Sequence, residues 1–104
     1  MDYNDLKLKT NAESNRLELE VDDVVAFIEY KLTRDKLFLI HTEVPDALSG
    51  KGVGTAIVLK ALEYAKENNY KIIPICPFVQ SYLKRHQEWV DIVDPDAQRF
   101  IHNH

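Results

Sequence analysis

All three glycines of the chain fall within five residues, in Ser49-Gly50-Lys51-Gly52-Val53-Gly54-Thr55. Glycine adopts left-handed dihedrals and lets a ligand come close to the backbone. The segment runs into the one long helical pattern of the sequence, and the first amide N–H groups of a helix have no intrahelical partner. Such amides, with the helix dipole behind them, form a site for an anion, typically phosphate. Lys51 would add a mobile positive charge. A Walker A loop needs four residues between its first and second glycines and then Gly-Lys-Ser/Thr, which is absent. The dinucleotide fingerprint needs Gly or Ala three positions after its second glycine, where Thr55 or Ile57 stands instead. On spacing alone the alternative is structural: a tight turn that lets the helix pack closely on a sheet.

Two further groups of side chains could move protons. His41 and Glu43 alternate onto one face of a strand whose polarity rises sharply after Ile40, where it leaves the core or meets a polar cleft. Either could serve as a general base. His41 could equally be a satisfied, partly buried histidine, and Glu43 a solvated strand end or a cap on the next loop. Cys76 ends a later short strand just before a helix whose first turn suits Pro77. That position favours thiol reactivity, although buried thiols are often inert. His41, Glu43, Cys76 and His86 are zinc-ligand types, but none has the close spacing of C-x-x-C or H-E-x-x-H, and no metal is expected. His102 and His104 fall in an expected tail and look incidental.

These residues need a scaffold. Leu6–Thr10 and Leu17–Val21 alternate with period two, as strands do. Asn11–Asn15, Asp22-Asp23 and Thr33-Arg34-Asp35 read as turns, so Val24–Leu32 and Lys36–Val44 follow as strands of an antiparallel meander. Lys36–Val44 is apolar on both faces in its first half, which predicts a central strand covered on both sides. Gly52–Lys66 is the long helix, with Gly54, Ile57, Val58, Ala61, Leu62 and Ala65 on one stripe. Lys71–Cys76 reads as a strand, and the helix before it makes a crossover that predicts parallel pairing with Lys36–Val44. Phe78–His86 reads as a shorter helix, Trp89–Val93 as an edge strand or extended tail, and Asp94-Pro95 as its break.

With 104 residues the chain makes one domain, expected over 1–94, with a flexible C-terminal tail over 95–104. Hydrophobic residues are 45% and charged residues 29%, which argues against disorder. The net charge of −4 argues against a general nucleic-acid binder, whose affinity comes from a concentrated basic patch. No apolar run is long enough for a bilayer and no signal-like stretch opens the sequence, so no membrane partner and a cytoplasmic location are expected. One cysteine excludes an internal disulfide.

His41-Thr42-Glu43-Val44-Pro45, Leu48–Gly54, Ile73–Phe78 and Tyr82–His86, in that order, resemble the GNAT acetyltransferase superfamily, and within it a minimal branch the size of this chain. The resemblance covers about Lys36 to Trp89. It implies an α/β fold: a mixed, mostly antiparallel sheet with a V-shaped opening, in the order β-β-β-β-α-β-α with a possible short terminal strand. It implies acetyl-coenzyme A lying in the V with its pyrophosphate on the glycine loop. Transfer of the acetyl group to a primary amine is expected to be direct, in a ternary complex, because it needs only a neutral amine held near the thioester carbonyl. The superfamily loop is Gln/Arg-x-x-Gly-x-Gly/Ala. Gly52 and Gly54 match it, while Ser49 departs from it and Lys51 offers compensating charge. By the same resemblance Thr42, Val44, Ser49, Gly50, Lys51, Gly52, Val53, Gly54, Thr55, Cys76, Phe78, Tyr82 and Arg85 contact the cofactor. Glu43 and His41 are the candidate bases, Cys76 a pocket-lining or acetyl-carrying thiol, and Tyr82 the acid for the departing sulfur. The acceptor is expected to be a small amine or an exposed amine of a protein, and the chain a monomer or weak homodimer. A non-catalytic module that binds coenzyme A or acyl-coenzyme A is the alternative function. A small interaction domain that kept the fold and lost the cofactor is a third.

Overall fold

The computed structural model describes Tyr3 and residues 5–101. Strands β1 (Lys9–Asn11), β2 (Arg16–Val21), β3 (Val24–Thr33) and β4 (Lys36–Glu43) form an antiparallel meander. Helix α1 (Val53–Glu67) then crosses over to β5 (Lys71–Pro74), which pairs parallel to β4 and completes a five-stranded sheet in the order β1-β2-β3-β4-β5. Helix α2 (Pro77–Arg85) follows. This is the mixed, mostly antiparallel architecture the sequence implies. β1 is shorter and later than its alternation suggests: Leu6 and Leu8 pack against the core from outside the strand.

Turn chemistry fixes the meander. Asp22 and Asp23 both take positive φ, 52° and 66°, between the paired Val21 and Val24. Two positive-φ residues in a two-residue connection match the strand twist. Cross-strand register then puts Leu17 opposite Ile28 and Leu19 opposite Ala26. These residues are fully buried, as are Leu37 and Leu39 of β4. Ile57, Val58, Ala61, Leu62 and Ala65 of α1 join them in the core.

Three features differ from expectation. β4 is central, but its second face is only partly covered: Phe38 is half-buried and Ile40 is 41% exposed. Gln87–Ile92 forms 3-10 turns instead of an edge strand, and only Val93 bridges to Ile72. Residues 95–101 are no loose tail. They form 3-10 turns that bury Ala97 and Ile101. The Asp94-Pro95 break is what organises them. One Asp94 carboxylate oxygen accepts the Asp96 N–H at 2.9 Å, the side-chain mimic of a turn. The other lies 3.3 Å from Lys36 Nζ. The Asp94 N–H donates to the Ile72 carbonyl at 2.9 Å, so this segment covers the outer edge of β5. His102 and His104 lie outside the described residues. Among the described residues no helix is long and apolar enough to cross a membrane.

Candidate active site

β4 and β5 pair only over Lys36–Leu39 and Lys71–Pro74. The Leu39 carbonyl then accepts two N–H groups, from Ile75 at 3.0 Å and Cys76 at 2.9 Å, and β5 gives way to α2. β4 runs on alone on that side through Glu43. Beside its unpaired end lies an open cavity of about 450 Å³. One wall is Thr42, Glu43 and Val44, and the other is Leu48–Gly50 of the loop and Gly52–Thr55 at the start of α1, with Phe78 of α2.

The loop wall is built for an anion. Gly52 is the residue before α1, with φ +75°, and Gly50 takes +76°. L-side chains adopt that region at a cost, so these two positions need glycine. The Gly52 carbonyl accepts the Ala56 N–H at 3.1 Å, which starts the helix and leaves the N–H groups of Val53, Gly54 and Thr55 without intrahelical partners. No acidic residue stands in the first turn of either helix. The positive ends of both dipoles therefore stay unneutralised by their own helices. The helices also meet there. A β-carbon on Gly54 would lie 2.9 Å from Phe78 Cζ and 3.5 Å from Val44 Cγ2, so Gly54 makes room for the Phe78 ring.

A β-bulge arms the other wall. Tyr30 pairs with Leu39 and Glu29 with His41, so Ile40 is an extra residue in β4. One inserted residue exchanges the faces of everything after it. Thr42 consequently shares the helix-covered face with its partner Ile28, while His41 and Glu43 turn to the opposite face with Glu29 and Phe27. Thr42 Oγ1 lies 3.4 Å from the buried Cys76 thiol. His41 Nε2 lies 3.1 Å from Glu43 Oε1, and both side chains are 53% exposed.

Of the sequence-predicted residues, the structure gathers Thr42, Glu43, Val44, Ser49, Gly50, Gly52, Val53, Gly54, Thr55 and Phe78 around one cavity. His41 touches Glu43, and Cys76 stands one side chain behind the wall, against Thr42. Tyr82, one turn along α2 from Phe78, does not line the cavity: it is 5% exposed and its ring stacks on His86 at 4.2 Å. Burial holds its phenol above the ordinary value, with Glu88 and Glu63 adding to the effect. Arg85 ends α2, roughly 12 Å along the axis from its start. Lys51 contributes its carbonyl to the structure rather than an ammonium to the cavity wall: that oxygen accepts the Tyr3 hydroxyl at 2.7 Å. Leu48, which opens the motif segment but is not among the expected contacts, also lines the cavity. Tyr3, behind the loop, is the residue sequence reading missed, and nothing local to it signals the contact. Among the described residues no three His, Cys, Asp or Glu side chains are grouped to hold a metal ion.

Residues 16–92 match the family of GCN5-related N-acetyl-transferases. Protein NATD1 of Xenopus tropicalis is 33% identical over 63 residues, which is 61% of this chain and 57% of that protein. Protein NATD1 of Homo sapiens is 39% identical over 46 residues, 44% of this chain and 41% of that protein. The chain thus spans about half the length of these relatives. A GCN5-like protein of Staphylococcus aureus, solved by NMR, superposes with a TM-score of 0.65 at 30% identity, over 88% of this chain and 90% of that one.

Proposed function

This chain belongs to the GCN5-related N-acetyltransferase family, and from that premise we propose that it transfers the acetyl group of acetyl-coenzyme A directly to a primary amine. The observation that carries the reading is the cavity itself. It begins at a helix start with no acidic residue in its first turn and reaches Glu43, on the unpaired end of β4.

In this reading the pyrophosphate rests on the amides from Gly52 to Thr55, with the Ser49 hydroxyl beside them. Phe78 and Val44 flank the chain that leads to the thioester. Glu43, directly or through one water, takes the proton of the incoming ammonium, and His41 at 3.1 Å is a second acceptor coupled to it. The neutral amine attacks the thioester carbonyl carbon. The C–N bond forms, the C–S bond breaks, the nitrogen gives up its extra proton, and the sulfur leaves as a thiolate that takes up that proton, directly or through water. A relay through Cys76 would need a base beside the thiol, and the polar neighbour it has is a hydroxyl, that of Thr42. Direct transfer needs only a neutral amine held about 3–3.5 Å from the carbonyl carbon. This route assigns no step to Tyr82, whose ring stacks on His86. The acceptor is a small amine or an exposed amine of a protein, the chain acts in the cytoplasm, and it does so as a monomer or weak homodimer.

Mass spectrometry after incubation with acetyl-coenzyme A, alone and then with a panel of amines and peptides, tests the proposal. The expected product is an acetylated amine with stoichiometric free thiol. Cys76→Ala should retain activity, while Glu43→Gln should lose roughly 100-fold or more, the usual worth of a general base. An acetyl adduct on Cys76 that passes to an amine at the turnover rate would overturn direct transfer. Tight binding with no amine acetylated would establish the non-catalytic binding module, which the uncharged Ser49 favours.

A further inference from the structure

Tyr3 precedes every strand of the sheet, yet it is only 8% exposed and belongs to the core. Its hydroxyl donates to the Lys51 carbonyl across 48 positions of sequence, at 2.7 Å. Lys51 lies between Gly50 and Gly52, whose positive φ values are easily reached and weakly held. A loop of that composition needs an outside fastening to stay in one conformation.

The geometry of the peptide unit says what this fastening does. The Lys51 carbonyl and the Gly52 N–H belong to the same planar trans peptide, so they point in opposite directions. Holding the oxygen toward Tyr3 therefore aims the Gly52 N–H away from Tyr3, and Gly52 lines the cavity. A second tie secures the strap. Lys60 of α1 donates from Nζ to the Leu6 carbonyl at 2.7 Å, and the Leu6 N–H donates to the Tyr3 carbonyl at 3.1 Å. Tyr3 is thus bound to the loop before α1, and Leu6 to the helix that follows.

We infer that Tyr3 is a positioning residue for the anion subsite: it pre-sets the Gly52 amide for the pyrophosphate before ligand arrives. The inference rests on the acetyl-coenzyme A reading given above. Its logic is preorganisation, in which affinity rises because the loop is not ordered at the moment of binding.

Tyr3→Phe keeps the ring in the core and removes only the hydroxyl. Three quantities separate the outcomes: the NMR backbone order parameter of Gly52 without ligand, the calorimetric Kd for coenzyme A, and the melting temperature. The expected result is a lower order parameter at Gly52, unchanged order at Leu19 and Ile28, and an affinity for coenzyme A reduced roughly three- to tenfold, on the scale of one hydrogen bond. Ile101→Val, a mild core lesion far from the loop in sequence, should lower the melting temperature with Kd unchanged, which separates positioning from general destabilisation. Unchanged Kd in Tyr3→Phe, with the unmutated protein binding well, would overturn the inference and leave the acetyl-coenzyme A reading standing. Equal loss in Ile101→Val would overturn it as well. No binding by the unmutated protein at millimolar coenzyme A would refute the underlying reading, and the positioning role would fall with it.

Discussion

Replacing Gly54 by alanine should weaken ligand binding through the Phe78 ring, and replacing Gly52 should do so through the backbone. Gly54 has ordinary helical geometry, so an alanine there adds no φ strain and gains up to about 1 kcal/mol of helix propensity. Its methyl group, however, would sit 2.9 Å from Phe78 Cζ and 3.3 Å from Cε2. The ring must move, and overpacking of this kind costs about 1–3 kcal/mol. The net loss of stability is then about 0–2 kcal/mol. At about 4–8 °C per kcal/mol for a domain of this size, melting falls by anything up to about 16 °C. Phe78 is 41% exposed and borders the cavity, so the displaced ring is free to intrude where the ligand would lie. Gly52→Ala differs in kind. Its methyl meets no protein atom within 4 Å, but φ +75° puts about 1–2 kcal/mol of strain into the loop. In the proposed reading the methyl adds bulk at the wall where the pyrophosphate rests, and binding should fall tenfold or more, about 1.4 kcal/mol. The decisive measurement is a double-mutant cycle of Gly54→Ala with Phe78→Ala, read by thermal melting and by titration with coenzyme A. Removing the ring should relieve the clash, giving a coupling of about 1–2 kcal/mol between the two sites. Gly52→Ala with Phe78→Ala should be additive. If Gly54→Ala costs the same with and without the ring, the steric account of Gly54 is wrong.

Ser49→Arg should tighten coenzyme A binding, because a guanidinium donates in a fork matched to phosphate oxygens, and the gain should shrink as salt rises. Unchanged affinity at low salt would place the pyrophosphate away from Ser49. Asp94 should make the fold acid-sensitive. Its carboxyl is held below the ordinary value of 3.8, first by the Asp96 N–H and then by the nearby Lys36, with burial opposing. A depressed folded-state pKa means the stabilisation is complete above 3.8 and is lost as pH falls through the folded value. Melting temperatures of the unmutated chain and Asp94→Asn should therefore differ near neutral pH and converge in acid; a constant gap would refute this role.

Much of this was legible because local chemistry decided it. Asp22-Asp23 between alternating runs specified a tight hairpin, and the stripe from Gly54 to Ala65 specified which side of α1 faces the sheet. The glycine cluster identified the loop wall, though it did not divide the labour among the glycines. Gly50 and Gly52 satisfy backbone dihedrals, whereas Gly54 accommodates an aromatic ring 24 positions away in sequence. What escaped were partnerships made by the fold. Asp94-Pro95 reads locally as a break, and only the bare outer edge of β5 turns it into an anchor that receives Lys36. Tyr3 is an unremarkable residue in a polar stretch until its hydroxyl reaches Lys51.

The bulge at Ile40 shows most clearly where such reading stops. Alternation correctly puts His41 and Glu43 on the same side as each other, since that depends only on the period of two. It cannot say which side, because absolute facing is inherited from every pairing before it. Without the extra residue, Leu37, Leu39, His41 and Glu43 would all face α1, and two ionisable groups would stand on the side where Leu37, Leu39 and Cys76 are buried. Burying them there without partners would be costly. With it, the buried layer ends at Leu39, the small hydroxyl of Thr42 takes the inner position against Cys76, and the carboxylate and imidazole emerge together in water. The sharp change from Leu-Phe-Leu-Ile to His-Thr-Glu is therefore a trace of the bulge. Polar residues placed where an unbroken strand would bury them imply that the strand is broken.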